Sequence, residues 1–421
     1  MPLNPELAKM LAYLISLSKP LSSDLSLAME QLKVAHDRFR GRPDTLQEVC
    51  FWGKAVVSSL FAHMDALGYA ARKCGVLFRS LGGLDLTTKE LAKLSEVRYD
   101  AETQTLTRIP DLLTPLDSFK LGVRYFSKLL GADFDLAVGD ERWRGVLNAW
   151  RARRRFTHPK RIEDLYAVEM FGGLQSSLIW HYGELMRWFA ACAASVGLPV
   201  PELDKDLHAK RVRPIVVQSP PMFSESEFEE QIERFGSRSI AYATRFFKLL
   251  RYDSERANLV QRRAREKRKD RNAAVAFAAR LMLRTECTQV EAINAAVRFQ
   301  LKAARRRLEI TFSDEELAPA PDYPQSAGEL ISAANLWSRR LGRGRTVNLS
   351  HESARDLGMA WKRRDRLVHP QKPKDLEMDE RESLSLALSL LQLQLKAFEC
   401  LEDKWLQAGA SGSKARANGT D

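Results

Sequence analysis

Two stretches of this chain, 146–165 (VLNAWRARRRFTHPKRIEDL) and 357–376 (LGMAWKRRDRLVHPQKPKDL), align without a gap at a constant offset of 211 residues. Eight of the twenty positions are identical: Ala149/Ala360, Trp150/Trp361, Arg153/Arg364, Arg155/Arg366, His158/His369, Pro159/Pro370, Asp164/Asp375 and Leu165/Leu376. Random pairing leaves about one identity in such a window. The same offset pairs Ser127, Leu130 and Gly131 with Ser338, Leu341 and Gly342. A repeat of this kind means that one supersecondary unit is built twice, so the chain is expected to contain two related domains.

The periodicity around the repeat is helical. Val56, Leu60, Met64, Leu67 and Ala71 recur at threes and fours, as do Leu174, Leu178, Tyr182, Leu185 and Phe189. The last long segment carries Leu384, Leu388, Leu391, Leu395, Phe398 and Trp405 at the same spacing. Alternating strands are almost absent; RPIVVQ at 213–218 is the one short candidate, and it runs into Pro220–Pro221. The chain reads as all-α. Proline-rich breaks lie at 197–221 and 317–328. They divide it into an N-terminal helical segment (1–44), a first bundle (45–196), a linker (197–222), a basic helical region (223–316), a second bundle (317–406) and a polar, disordered tail (407–421). The first helix of the second bundle falls near either 226–250 or 272–285.

Charge narrows the partner. The chain holds 66 basic and 54 acidic residues, a net of +12. Residues 255–310 alone hold 15 basic against 6 acidic, a net of +9, densest in QRRAREKRKDR at 261–271. Such a run is a solvated helix face or a phosphate-binding stripe, and the second reading implies salt-sensitive binding of a polyanion. Candidate nucleic-acid contacts there are Arg262, Arg263, Arg265, Lys267, Arg268, Lys269, Arg305 and Arg306. The five cysteines are scattered and include no CxxC pair, which argues against a disulfide framework or a cysteine zinc site. No metal or cofactor is expected. No run approaches ~20 uninterrupted apolar residues, so no membrane partner is expected and the simplest location is the cytoplasm. No P-loop, dinucleotide-binding glycine pattern, HExxH or GxSxG occurs.

Each repeat contains Arg, four residues, then His: Arg153…His158 and Arg364…His369. Five residues along a continuous helix leave two side chains about 140° apart. Each His precedes a proline, however, which pushes it out of the helical region. The His therefore sits where the helix ends and can fold back toward the Arg. A basic helix end also complements the helix dipole, a purely structural reason for the same pattern. The chemical reading is that His, near neutral pKa, moves protons while Arg stabilises charge on phosphoryl oxygens. One pair supplies half of a two-proton mechanism; two facing pairs supply all of it.

The second copy, R364-DRLV-H369-P, closely resembles the signature of HEPN-domain proteins: Arg, a polar residue, three more, then His, between a leading helix and a long final one. The resemblance implies bundles of about four helices and, in many members, a metal-independent endoribonuclease site formed where two HEPN units pack together. It implies Arg364 and His369 as the catalytic pair, with Asp365 as the polar residue, and Arg153 and His158 as the matching pair. Arg154 stands where the family prefers an uncharged or acidic polar residue, so the first copy departs from the pattern. Toxins and antiviral-defence effectors are common in the family, with a neutralising or sensor protein as a further partner; other members only bind or sense. Two units in one chain imply an intramolecular pseudo-dimer and also permit a homodimer.

Other residues have plainer readings. Trp150 and Trp361 are expected in the core, Asp164 and Asp375 as N-caps, and His63 as a satisfied core or boundary histidine. Arg155 and Arg366 either contact phosphate or are solvated. Residues 288–310 have the outline of a helix–turn–helix, which carries the alternative of a DNA-binding regulator.

Overall fold

The computed structural model describes residues 5–39, 43–95, 97–100, 105–108, 113–157, 164, 170–199, 237–266, 271–307, 311–341, 344–368 and 376–417. The strand candidate 213–218 lies outside them. The described chain is all-α apart from one short hairpin. The first half comprises α1 (Pro5–Arg38), α2 (Pro43–Leu77), α3 (Thr88–Ser95), the antiparallel strands β1 (Val97–Asp100) and β2 (Thr105–Arg108), α4 (Pro115–Leu130), α5 (Glu141–Thr157) and α6 (Met170–Ser195). The second comprises α7 (Ser237–Glu266), α8 (Arg271–Arg307), α9 (Gln325–Leu341), α10 (His351–Val368) and α11 (Glu380–Ala417). Sequence periodicity did not pick out the hairpin, whose register sets Val97 against Arg108 and Asp100 against Thr105.

The repeat extends from the motif to the architecture. Helices α4, α5 and α6 correspond to α9, α10 and α11 at the same offset of 211 residues. The packing corresponds as well: α1 on α2, α2 on α4 and α5 on α6 in one half recur as α7 on α8, α8 on α9 and α10 on α11 in the other. The second half's counterpart of α2 is therefore α8, which contains 272–285. Helix α1, read from the sequence as a separate N-terminal segment, packs along α2 as part of the first bundle.

Local chemistry explains the close helix crossings. Gly145 of α5 meets Gly173 of α6, and a Cβ on either would lie 2.9 Å from the other's carbonyl oxygen. Only glycine lets those backbones approach so closely, and this crossing fixes the helix that carries the first motif. Helix α4 starts at Thr114, whose hydroxyl accepts from the Asp117 amide at 3.2 Å, and ends at Gly131 with φ of 68°. Apolar burial is continuous from Leu7 to Leu401, so the two halves share one core.

Two sequence expectations change. Residues 288–307 belong to the uninterrupted helix α8, and Val290, Ile293, Val297 and Leu301 are buried. No turn separates two helices there, which removes the structural basis of the helix–turn–helix reading. Helix α11 continues past residue 406 to Ala417, into the segment that composition assigns to a disordered tail. One segment, Arg381–Leu401, is long and apolar enough by length and composition to cross a membrane, and half of it is buried against the bundle.

Candidate functional site

Helix α5 carries Arg153 and α10 carries Arg364, each one turn before the helix end. Arg153 lies near enough to Arg364, across the contact between the halves, for that charge to help lower its pKa. Each also meets a carboxylate from the second helix of its own half. Arg153 Nη1 lies 3.9 Å from Asp65 Oδ2 on α2, and Arg364 Nη2 lies 3.0 Å from Glu291 Oε1 on α8. The Arg153 guanidinium also stacks over the rings of Trp150, 5.1 Å from its centroid, and Phe61, at 5.8 Å.

Burial lowers the Arg153 pKa, and Arg364 adds repulsion against the opposing pull of Asp65. Burial pulls Arg364 the same way, but Glu291, the Cys287 thiol and Asp365 outweigh it, so its pKa is raised. The Asp65 carboxyl is pushed up to about 7 by burial, despite Arg153 and Arg72. Near neutral pH it is therefore only partly ionised.

Two more arginines complete the cluster, and sequence reasoning missed both. Arg280 and Arg284 stand four apart on α8, on an otherwise apolar stretch (AVAFAARLMLRTEC). That is itself a signal, because an arginine inside a buried stripe needs a partner. Arg280 donates to both Asp24 oxygens at 2.8 and 2.5 Å and to the Leu376 carbonyl at 2.7 Å. Arg284 donates to the Leu367 carbonyl at 3.3 Å. The two guanidiniums thus hold the backbone on either side of residues 368–375, the segment containing His369. Burial lowers the Arg284 pKa to about 10; Asp24 opposes this, while Arg280, Arg153 and Arg364 add to it.

The Nε of Arg284 is buried without a hydrogen-bond partner. Arg284 lines a cavity of about 60 Å³ between the halves, together with Asp24, Lys54, Ser59, Phe156 and Thr288. That is room for a few water molecules. Among the described residues these four guanidiniums meet Asp24, Asp65, Glu291 and, at 3.8 Å, Asp365; with Asp65 only partly ionised, a small excess of positive charge is left.

The remaining expected residues are dispersed. Arg155 is held by buried Asp164 at 2.9 Å, so a phosphate would have to displace that carboxylate. Asp164 is thus an ion-pair partner for Arg155; the residues that it was expected to cap lie outside the described ones, as does Asp375. Asp365 and Arg366 are exposed on α10. Trp361 is buried, and Trp150 is half-buried against Phe61. Arg262, Arg263 and Arg265 are exposed at the end of α7. His158, His369, Lys267, Arg268 and Lys269, and the side chains of Arg305 and Arg306, lie outside the described residues. The basic region is not one patch: residues 262–265 and 305–306 adjoin opposite ends of α8, a helix on the order of 55 Å long.

His63 is fully buried, as expected, but within an unanticipated network. Its Nε2 lies 2.9 Å from Ser18 Oγ and its Nδ1 lies 3.1 Å from Nε2 of His181, also fully buried. Burial lowers both pKa values, that of His181 to about 3. Among the described residues no group of three or more His, Cys, Asp or Glu is arranged to hold a metal ion.

No protein-family model, curated protein or solved structure matches this chain.

Proposed function

We propose that the chain is a metal-independent endoribonuclease of the HEPN type, with one composite Arg/His site between its halves. The observation that carries this reading is the convergence of Arg153 and Arg364, equivalent residues of the repeat, on one cationic cluster. In the proposed reaction the ribose 2′-oxygen attacks the adjacent phosphorus and the P–O5′ bond breaks. One histidine of the His158/His369 pair takes the 2′-OH proton, and the other protonates the leaving O5′. Arg153 and Arg364 stabilise charge on the phosphorane oxygens. The products are 2′,3′-cyclic phosphate and 5′-OH ends. Within this proposal the activity is that of a toxin or antiviral-defence effector restrained by a neutralising or sensor protein.

The test is cleavage of total RNA in EDTA by wild type, His158→Ala, His369→Ala and the double variant. The reading expects cleavage by wild type and none by the double variant; activity surviving in the double variant overturns it.

A second reading has its own support. Both motif guanidiniums already face carboxylates, with Arg364 only 3.0 Å from Glu291, as in a site that holds structure or a ligand without turnover. It predicts RNA binding with no cleavage by any of the four proteins.

A further inference from the structure

Where the first two helices of one half meet the first two of the other, a pocket of about 170 Å³ opens between α1, α2, α7 and α8. It is separate from the smaller cavity beside Arg284, although Phe277 borders both. Asp24 on α1 and Asp253 on α7 line that smaller cavity. Residues three, seven and ten positions after each aspartate line the pocket from either side: Leu27 and Arg256, Gln31 and Val260, Val34 and Arg263. The two halves thus build the pocket from equivalent faces of their first helices.

Small side chains account for the space. Ala264 of α7 packs with Ala274 and Ala278 of α8 in a minor cluster apart from the main core. Their methyl groups do not fill the volume that larger residues fill in a close-packed interior. Trp52 and Phe277, both buried, supply aromatic walls. An apolar cavity of about 150 Å³ holds one benzene molecule, so this pocket has room for a group about the size of a single ring.

The charges choose what that group carries. Three arginines line the pocket, Arg38, Arg256 and Arg263, against one carboxylate, Glu48. Glu48 is taken by Arg256 at 3.3 Å, and Arg256 also donates to the Tyr252 hydroxyl at 2.7 Å. Arg38 and Arg263 are exposed, and among the described residues neither has an ion-pair or hydrogen-bond partner. A carboxylate would neutralise one of them. A phosphate monoester, with a charge of about −1.5 to −2 at pH 7, neutralises both and offers three oxygens to their two planar forks. We propose that the pocket binds an organic phosphate monoester, its ring-sized apolar group between Trp52 and the alanines and its phosphate on Arg38 and Arg263. The proposal is independent of the Arg/His site. Arg263 is also a candidate nucleic-acid contact, so the same group has two sources, a free small molecule and a 5′-phosphorylated RNA end.

Calorimetric titration of the full chain with phenyl phosphate, phenol and inorganic phosphate tests it. Phenyl phosphate is expected to bind one site at least about tenfold more tightly than either part alone, because the joined groups engage together. The surface variant Arg38→Gln/Arg263→Gln should lose the advantage of phenyl phosphate over phenol. Ala264→Phe, which fills the pocket, should lose its advantage over inorganic phosphate, with unchanged helical circular dichroism. No binding of phenyl phosphate at millimolar concentration overturns the proposal, as does inorganic phosphate binding equally well, or binding that survives loss of both arginines. Trinucleotides then separate the sources. Displacement of phenyl phosphate by the 5′-phosphorylated form alone assigns the site to an RNA end, and displacement by neither form assigns it to a free small molecule. Displacement by the 5′-hydroxyl form as well overturns the monoester, since phosphodiesters then suffice.

Discussion

Asp24 on α1 receives two hydrogen bonds from the guanidinium of Arg280 on α8, 256 residues further along the chain. The same relationship recurs from the other side. Asp253 on α7, the counterpart of α1, meets Lys54 on α2, the counterpart of α8. Each half sends an aspartate from its first helix to a cation on the second helix of the other, as in an isologous interface. The small cavity beside Arg284 is lined by Asp24, Lys54 and Asp253, between the two pairs.

Breaking one of these pairs should cost more than replacing it. Arg280→Leu or Asp24→Leu leaves a buried charge without its partner, and each is expected to destabilise the fold by about 3–5 kcal/mol. The double variant Asp24→Leu/Arg280→Met should recover much of that loss. Lys54→Leu should cost less, because its pair is 14% exposed on both sides whereas Asp24 and Arg280 are 1% and 6% exposed. Urea midpoints of the four proteins check the order.

The buried His63–His181 pair should add acid sensitivity to the fold. Both folded pKa values are lowered, so below an unfolded value of about 6.5 the unfolded chain binds more protons. Each histidine's contribution is fully present above that pH and is lost as pH falls toward its folded value, about 3 for His181. Asp65, raised to about 7, acts in the opposite sense between about 4 and 7. Asp253 and Glu286, also raised by burial, act in the same sense as Asp65, so the histidine contribution is read by difference: each histidine kept neutral in the folded chain adds a slope that approaches about 1.4 kcal/mol per pH unit as pH drops from 6.5 to 5. Denaturant unfolding at several pH values should show wild type losing more stability than His181→Gln over that range, by up to one such slope.

Arg284 is expected to act on the proposed chemistry through position. Its bond to the Leu367 carbonyl holds the end of α10 two residues before His369. Losing a charge-assisted hydrogen bond there is worth about 1.5–3 kcal/mol. Arg284→Met should thus lower the single-turnover cleavage rate by roughly 10- to 150-fold at saturating RNA. RNA binding should change less than the rate, and Arg284→Lys should rescue part of it. An unchanged rate would assign Arg284 to the scaffold alone.

The exposed end of α7 should contribute to affinity through phosphate contacts. Replacing Arg262, Arg263 and Arg265 by Gln removes three charges near the surface. The slope of log affinity against log salt should fall by about 2 for single-stranded RNA, close to 0.7 per contact. Titrations at several salt concentrations measure it directly. An unchanged slope places the RNA away from this end of α8.

The all-α class was legible because helix periodicity is a local property: spacings of three and four residues suffice to mark α2, α6 and α11. The repeat was legible too, since Arg153/Arg364 and the X–Pro helix ends are read by alignment alone. Which residues meet those arginines was not, because Asp65 and Glu291 lie far away in sequence and gain their role only when α2 packs beside α5 and α8 beside α10. The helix–turn–helix outline at 288–310 failed for a related reason: burial of Val290, Ile293 and Val297 against the second half keeps α8 continuous. Helix α11 separates the two contributions most clearly. Its sequence determined a helix with two apolar seams, and no local rule ranks one above the other. Tertiary structure decided: Leu386, Leu390, Leu393 and Ala397 are buried where α11 packs on α8, α9 and α10, while Leu384, Leu388 and Leu395, equally apolar, are exposed.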